Sequence, residues 1–197
     1  DEVNGIGTIT CIKNDRFASL GHPIINEQGQ ILNVINGEIY TCNITGYVRG
    51  ERGKPGELRG VFSNNTSIGV IDKNLTCGVY GKLNKNFDKK NLISVSSANA
   101  TMGNATIYTT INGKEPKEYS ISILKVDNSL ENKNLVVKIT DKELLDTTNG
   151  IIQGMSGSPI VQNGKIIGAI THVIVSDVTT GYGIFIDWMI ETEESLI

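Results

Sequence analysis

Short stretches of alternating apolar and polar residues, broken by turns, run along most of the chain. β-branched residues are concentrated in these stretches and Gly and Asn separate them, which predicts strands. Three pairs, Asn36-Gly37, Asn112-Gly113 and Asn163-Gly164, supply the positive φ angles that tight hairpins need. The predicted strands are Gly7–Ile12, Phe17–Leu20, Ile31–Val34, Glu38–Val48, Gly60–Phe62, Ser67–Ile71, Gly78–Leu83, Asn104–Thr110, Glu118–Val126, Leu135–Ile139, Pro159–Gln162, Lys165–Ile174 and Gly183–Ile186.

Two segments have helical rather than strand character. Lys142–Thr147 follows a possible N-cap at Asp141, and Asp187–Leu196 carries apolar residues among acidic ones, as a short helix packed on a barrel would. With 22 glycines and only 4 prolines, the pattern is typical of an all-β sandwich or barrel. The charge-rich segment Asn84–Asn91 is the natural linker between an N-terminal and a C-terminal half.

Length and charge narrow the possible functions. The 197 residues are enough for one large β domain or for two small barrels that share an interface. The net charge of −3, with acidic and basic residues interspersed, argues against nucleic-acid binding by bulk electrostatics. The one basic stretch runs from Arg49 to Arg59. The longest apolar run, Ile166–Val175, is too short to span a bilayer, so we expect no membrane segment in this chain.

The three cysteines, Cys11, Cys42 and Cys77, are too few and too widely spaced for a disulfide framework or a zinc site. We interpret them as buried small apolar residues, with one bridge left open. We expect no metal and no cofactor.

The segment Gly154-Met155-Ser156-Gly157-Ser158-Pro159 carries the clearest chemistry. Its glycines allow strained backbone angles and a close approach to a substrate. The N–H groups of Gly154 and Ser156 could then hold the oxyanion of a tetrahedral intermediate, with Ser156 as nucleophile. A plain Gly/Ser-rich hairpin turn is the alternative.

A serine nucleophile needs a base, and the chain has only two histidines. His22 follows a predicted hairpin at a strand end, where catalytic residues are usually presented. His172 lies within the strand after the serine turn, where its side chain could be either packed or exposed. His22 is therefore the predicted general base.

The Gly154–Pro159 segment resembles the nucleophile motif of chymotrypsin-like peptidases, which implies a double β-barrel with a short C-terminal helix. The resemblance implies a first barrel over about 1–90 and a second over about 91–197, within one peptidase domain. It also implies that Thr171, His172 and Val173 bind the substrate on an exposed strand.

Four segments together resemble the stage IV sporulation protein B peptidase family more closely. They are Asn4–Thr8, Leu20–Ile24, Arg52–Glu57 and Gly154–Pro159 with the following Gly168–Val173. The resemblance implies an exported serine endopeptidase of endospore-forming bacteria, acting between the forespore and mother-cell membranes. Its implied substrate is a regulatory membrane-complex protein in a sporulation signalling pathway. The family also has a membrane anchor and a PDZ domain, which are absent from this sequence; self-cleavage is one explanation of a start at Asp1.

Two aspartates are candidates for the third member of a catalytic triad. The sporulation-family resemblance places that residue at Asp141, fifteen positions before Ser156, so Asp141 is the predicted third member, although it is also a natural helix cap. Asp72 fits the ordinary chymotrypsin-like order of histidine, aspartate and serine. A dyad of Ser156 and His22 is the third possibility.

Other classes of function are weaker. A catalytically dormant barrel could bind an extended peptide by strand addition along Lys165–Val173, although it would not need both Ser156 and His22. No cysteine lies in a glycine-flanked turn, which argues against a cysteine peptidase. Two histidines without HExxH spacing argue against a metallohydrolase.

Overall fold

The computed structural model describes residues 3–62, 66–90 and 92–194, which form thirteen strands and two helices. The predicted all-β class with a short helix near the end is confirmed. The elements are β1 (Ile9–Lys13), β2 (Arg16–Ser19), β3 (Gly37–Ile39), β4 (Cys42–Val48), β5 (Glu57–Phe62), β6 (Gly69–Leu75), β7 (Gly78–Leu83), β8 (Gly103–Thr109), β9 (Lys117–Val126), β10 (Leu135–Ile139), α1 (Lys142–Thr148), β11 (Pro159–Gln162), β12 (Lys165–Ile174), β13 (Asp177–Phe185) and α2 (Ile186–Glu194).

The strands are organised as one open sheet, one ribbon and one closed barrel. The open antiparallel sheet has the order β1-β2-β7-β6-β3, and β4 pairs with β5 as a separate two-stranded ribbon. The closed barrel has the order β10-β13-β12-β11-β8-β9. The first seven strands thus build the sheet and ribbon, and the last six build the barrel.

The barrel interior is filled by the apolar positions that alternate along its strands. On β9, Tyr119, Ile121 and Ile123 are buried while their neighbours are more exposed, as a period of two requires. β12 is different, because every residue from Ile166 to Thr171 is buried. Such a continuous buried run indicates a strand that is covered on both faces.

A second cluster of buried side chains joins the open sheet to the barrel. Ala18 and Tyr80 come from the sheet, Ala169 and Ile184 from the barrel, and Met189 from α2. Burial of apolar area at this junction, worth about 25 cal/mol per Å², holds the end of β2 against the middle of β12. The residues after β2, including His22, are thereby brought to the barrel.

Helix α2 is also attached to the open sheet by charge. The Arg16 guanidinium on β2 pairs with Glu193 on α2 and, at 2.9 Å, with the Asp72 carboxylate on β6. The Glu193 side chain is only 7% exposed. Because a buried carboxylate is costly without a partner, Arg16 is expected to matter for stability.

We expect Arg16→Met to lower the free energy of unfolding by about 1–3 kcal/mol, because it leaves Glu193 unpaired at the α2 junction. Lys13→Met is the matched control, since Lys13 pairs with the neighbouring Glu194 but both side chains are largely exposed. The control should lose much less, because an ion pair between exposed side chains contributes little to stability. Urea denaturation of both variants measures the difference, and equal losses would contradict a stabilising role for the Arg16 pair.

The element bounds differ from the sequence-based expectations at a few places. Ile31–Val34 is not a strand: it makes one isolated bridge, from Ile31 to Ile25, on the surface. The predicted Glu38–Val48 strand is two strands, because the chain leaves the open sheet after β3 and enters the ribbon at β4. β13 starts at Asp177 rather than Gly183. The predicted helix end at Leu196 lies outside the described residues.

The expected N-cap of α1 is confirmed, since the Asp141 side chain accepts a hydrogen bond from Leu144 N. The three cysteines are free and half-buried. Within residues 3–62, 66–90 and 92–194, neither helix has the length and apolar character needed to cross a bilayer.

Candidate active site

The 154–159 turn has the strained backbone that its glycines predict. Gly154 has φ 99° and Gly157 has φ 88°, both in the region that other residues rarely adopt. The turn is closed by Ser158, whose N–H and hydroxyl both donate to Met155 O, at 3.0 and 2.6 Å. Gly157 N donates to Ile170 O at 2.8 Å, which joins the turn to β12. Ser156 is thus held on a rigid, half-buried loop.

Along this turn, main-chain N–H groups that donate a hydrogen bond alternate with N–H groups that do not. Gln153 N donates to Gly56 O and Met155 N donates to Ile152 O. In the part of the chain that the structure describes, the N–H groups of Gly154 and Ser156 have no protein acceptor. These are the two donors that the sequence predicts for an oxyanion hole, and a developing oxyanion is the kind of acceptor they lack.

The Ser156 hydroxyl donates to the main-chain oxygen of Thr171, at 3.0 Å. Thr171 lies at a β-bulge of β12, between the pairs Ile170–Gly183 and His172–Tyr182. Its own hydroxyl donates to Tyr182 O at 3.2 Å, inside the barrel wall. The resting hydroxyl of Ser156 is therefore bonded to β12.

The β1–β2 hairpin docks directly on the turn that carries Ser156. Thr8 N donates to Ser156 O at 2.9 Å, and the buried Thr10 hydroxyl donates to Gly157 O at 2.7 Å. Gly157 fits so closely that a Cβ atom there would lie 2.2 Å from Thr8 O. These contacts fix the hairpin, and with it the position of His22, relative to Ser156.

The chain reverses direction after β2 to present His22. Leu20 and Gly21 both have left-handed φ angles, of 65° and 69°. Gly21 packs on β12, where a Cβ atom would lie 2.9 Å from the Thr171 methyl group. His22 follows immediately, so the structure brings it next to the bulge at Thr171.

The two histidines of the chain lie side by side. The ring centroids of His22 and His172 are 4.8 Å apart and the rings are tilted by 39°. The Nδ1 atom of His22 lies 2.9 Å from Pro23 O, which favours the tautomer with a proton on Nδ1 and a free acceptor at Nε2. Burial lowers the pKa of His22 below its ordinary 6.5, and the Pro23 hydrogen bond partly offsets this. Neutral His22 is the form that a general base requires.

The ribbon that contains the basic segment packs against the approach to Ser156. Gln153 N donates to Gly56 O and Gln153 O accepts from Leu58 N, both at 2.8 Å, forming a parallel bridge with the start of β5. The tip of the ribbon is attached through Gly53 N, which donates to Val175 O at 2.8 Å. These contacts place the basic segment against Gln153, three residues before Ser156.

The family model described as SpoIVB peptidase S55 matches residues 1–190. The chain belongs to the SpoIVB peptidase family. It is a serine peptidase, as the sequence predicts. A comparison with curated proteins finds no match. Among solved structures the chain is similar to the crystal structure of Rv3671c from M. tuberculosis H37Rv, in the inactive form of a serine-to-alanine mutant. The TM-score is 0.43 with 12% identity, over 77% of this chain and 86% of that chain.

In this SpoIVB peptidase, the two carboxylates that are candidates for the third member of the catalytic triad contact groups other than His22. Asp141 accepts hydrogen bonds from Leu144 N at 3.1 Å and from Ser120 N at 3.2 Å, which attach α1 to β9. Asp72 pairs with Arg16. Among the described residues no carboxylate forms an ion pair with either histidine.

The predicted substrate strand of the SpoIVB peptidase has an open edge. β13 pairs with β12 along its length, whereas β11 pairs with β12 only as far as Ala169. Beyond Ala169, the described residues place no strand on that other side of β12. His172 and Val173 therefore lie where an extended peptide could add as a strand.

The hydrogen bonds that support the site were not predicted. Thr10 and Leu58 have no signature of their own in the sequence, and Thr8 and Pro23 stood out only as members of the family-like segments Asn4–Thr8 and Leu20–Ile24. Gly56 had a signal, since it is one of three glycines in the basic segment; a Cβ atom there would lie 2.1 Å from Val48 O. The described residues hold no group of three or more His, Cys, Asp or Glu side chains that could bind a metal ion.

Proposed function

We propose that this serine peptidase cleaves a regulatory protein in sporulation signalling, with Ser156 as nucleophile and His22 as general base. The observation that carries the site assignment is the pair of unpartnered N–H groups, of Gly154 and Ser156, on the turn that holds the Ser156 hydroxyl. Family membership supports the sporulation context.

In this proposal the reaction begins when the Ser156 hydroxyl leaves Thr171 O and gives its proton to Nε2 of His22. The Ser156 Oγ–carbon bond forms with the peptide carbonyl, and the carbonyl oxygen becomes an oxyanion at the two free N–H groups. The His22 imidazolium then protonates the leaving amine as the peptide C–N bond breaks. Water attacks the acyl-enzyme in the same manner and restores Ser156. Catalytic hydrogen bonds often form only in the substrate complex, so the resting bond to Thr171 O agrees with this sequence.

Substrate binding is proposed to use the open edge of β12, with main-chain groups of Thr171–Val173 pairing with an extended segment. The remaining parts of the proposal come from the family: an exported enzyme acting between the forespore and mother-cell membranes, on a regulatory membrane-complex protein. Self-cleavage and a PDZ domain in the full-length protein are proposed on the same basis.

A fluorophosphonate probe tests the assignment of Ser156 directly, because only an activated serine reacts with it. The wild-type protein should be labelled, the label should map to Ser156, and His22→Ala should prevent labelling. Ser176→Ala is the matched control, since Ser176 lies exposed at the β12–β13 turn and should leave labelling unchanged. Label at another serine would overturn the assignment. Accumulation of the uncleaved regulatory protein in a sporulating Ser156→Ala strain would test the substrate class.

The role of Asp141 is open to a test that separates catalysis from capping. A catalytic Asp141 predicts that Asp141→Asn loses roughly 10²- to 10⁴-fold in kcat, far more than its loss of stability explains, because asparagine keeps one acceptor for the helix cap but cannot stabilise the His22 cation. Denaturation midpoints and turnover would be measured together for Asp141→Asn and Asp72→Asn. Normal turnover in the first and collapse in the second would assign the role to Asp72. Normal turnover in both would leave a dyad of Ser156 and His22, which the present hydrogen bonds of Asp141 favour.

A further inference from the structure

The flank of His22 is occupied by a second imidazole ring. The 4.8 Å separation of the ring centroids and the 39° tilt are typical of side chains in packing contact. The β-bulge at Thr171 produces this arrangement, because it shifts the register of β12 against β13 between Ile170 and His172. Bulges commonly re-aim a side chain next to a functional site.

Few other contacts hold the His22 ring, so we infer that its orientation depends on the His172 ring. Its Nδ1 atom is engaged by Pro23 O, a main-chain group one residue away. In the residues that the structure describes, no carboxylate pairs with the ring. His172 is thus a side chain that lies against the His22 ring from the barrel, across the junction of the two halves.

The groups around the two rings keep His172 neutral. Burial, the charge of His22 and the Lys133 ammonium together lower the pKa of His172 to about 4. Lys133, in the β9–β10 connection, lies 5.3 Å from the centroid of the Tyr182 ring on β13, and Tyr182 is the strand partner of His172. At neutral pH the His172 ring is therefore uncharged.

We propose that His172 is a positioning residue: its ring packs on the His22 ring, fixes its orientation toward Ser156 and shields it from water. This inference rests on the proposed roles of Ser156 and His22. During acyl transfer the proton moves from Ser156 Oγ to His22 Nε2, and the cation forms beside a neutral ring rather than beside a like charge. His172 itself neither gains nor loses a proton in the step.

The variants His172→Ala and His172→Phe separate positioning from substrate binding. We expect His172→Ala to lower kcat about 10- to 100-fold with little change in KM, because the His22 ring loses its packing partner. His172→Phe should restore most of the lost kcat, since a phenyl ring replaces the packing without titrating. A raised KM with normal kcat in His172→Ala would overturn the proposal and make His172 a substrate-binding residue only.

The pH profile of kcat/KM gives a readout that a merely structural role would not move. The neutral form of His22 is the active form, so activity is present above the His22 pKa and is lost as the pH falls through it. Because burial lowers that pKa below 6.5, the acid limb of the wild type should lie below pH 6.5. In His172→Ala water reaches the ring, so the limb should move upward toward 6.5, whereas His172→Phe should keep it low. An unmoved limb in His172→Ala would overturn the shielding role.

The change in the His22 pKa can also be measured without substrate turnover, in a protein that carries Ser156→Ala. The chain has only two histidines, so an NMR titration can follow both rings in the parent protein. In the His172 variants the signal of His22 is the only histidine signal. The His22 pKa should rise in His172→Ala and stay low in His172→Phe. If Ser156→Ala retained turnover, the proposed function would fail. If the His22 pKa is the same in His172→Ala as in the parent protein, only the positioning role of His172 would be overturned.

Discussion

Ser156→Ala is expected to fold normally and to lose roughly 10⁴-fold or more of its peptidase activity. The hydroxyl contributes one hydrogen bond, to Thr171 O, and the side chain is only half-buried, so little stability depends on it. His22→Ala should be comparably severe, because the nucleophile and its base act as a unit. Both losses should exceed that of His172→Ala.

Peptide-library cleavage followed by mass spectrometry measures these losses and reports the cleavage sites at the same time. Circular dichroism and thermal midpoints should match those of the wild type. Turnover retained by purified Ser156→Ala would contradict the assignment of the nucleophile. An inactive His172→Ala together with an active His22→Ala would show that the base is His172.

Gly157→Ala is expected to destabilise the protein by more than about 3 kcal/mol, or to prevent folding. The backbone at Gly157 has φ 88°, and an added Cβ atom would lie 2.2 Å from Thr8 O and 2.7 Å from Leu20 N. Left-handed backbone costs an L-residue about 1–2 kcal/mol by itself. The clash with the β1–β2 hairpin adds to this cost, because main-chain atoms on both sides would have to move.

Gly164→Ala is the control that separates strain from contact. Gly164 also has a positive φ, of 73°, but nothing lies within 4 Å of a Cβ atom there. This variant should lose only about 1 kcal/mol. Soluble yield and thermal midpoints of the two variants test the prediction even if Gly157→Ala does not fold. Equal behaviour would mean that the docking of the hairpin on the turn does not limit stability.

Local patterns predicted much of the fold and part of the site. The alternation along β9 and the turn pairs identified most barrel strands, and Asp141 was recognised as a possible cap of α1. The Gly154–Pro159 motif was recognisable because its glycines must adjoin the serine in sequence.

The rest depends on contacts between distant segments, which leave little trace in the sequence. The packing of His22 on His172 joins residues 150 positions apart and depends on the bulge at Thr171. The bridge from Glu57 to Gln153 is an isolated parallel pair, so it is too short to produce an alternating pattern in the sequence. The prediction of a strand at Ile31–Val34 was wrong although the local sequence is β-like, because no neighbouring strand pairs with it.

The two proposed catalytic residues come from opposite sides of the junction between sheet and barrel, so the proposed site is complete only when that junction has formed. His22 belongs to the segment after β2, Ser156 to the turn before β11, and the Arg16–Glu193 pair joins β2 to a helix that follows both. A partly synthesised chain therefore carries His22, the proposed base, long before Ser156, the proposed nucleophile, and carries both before α2 has been made. With these proposed roles, we expect peptidase activity to appear only after the early and late segments have packed together.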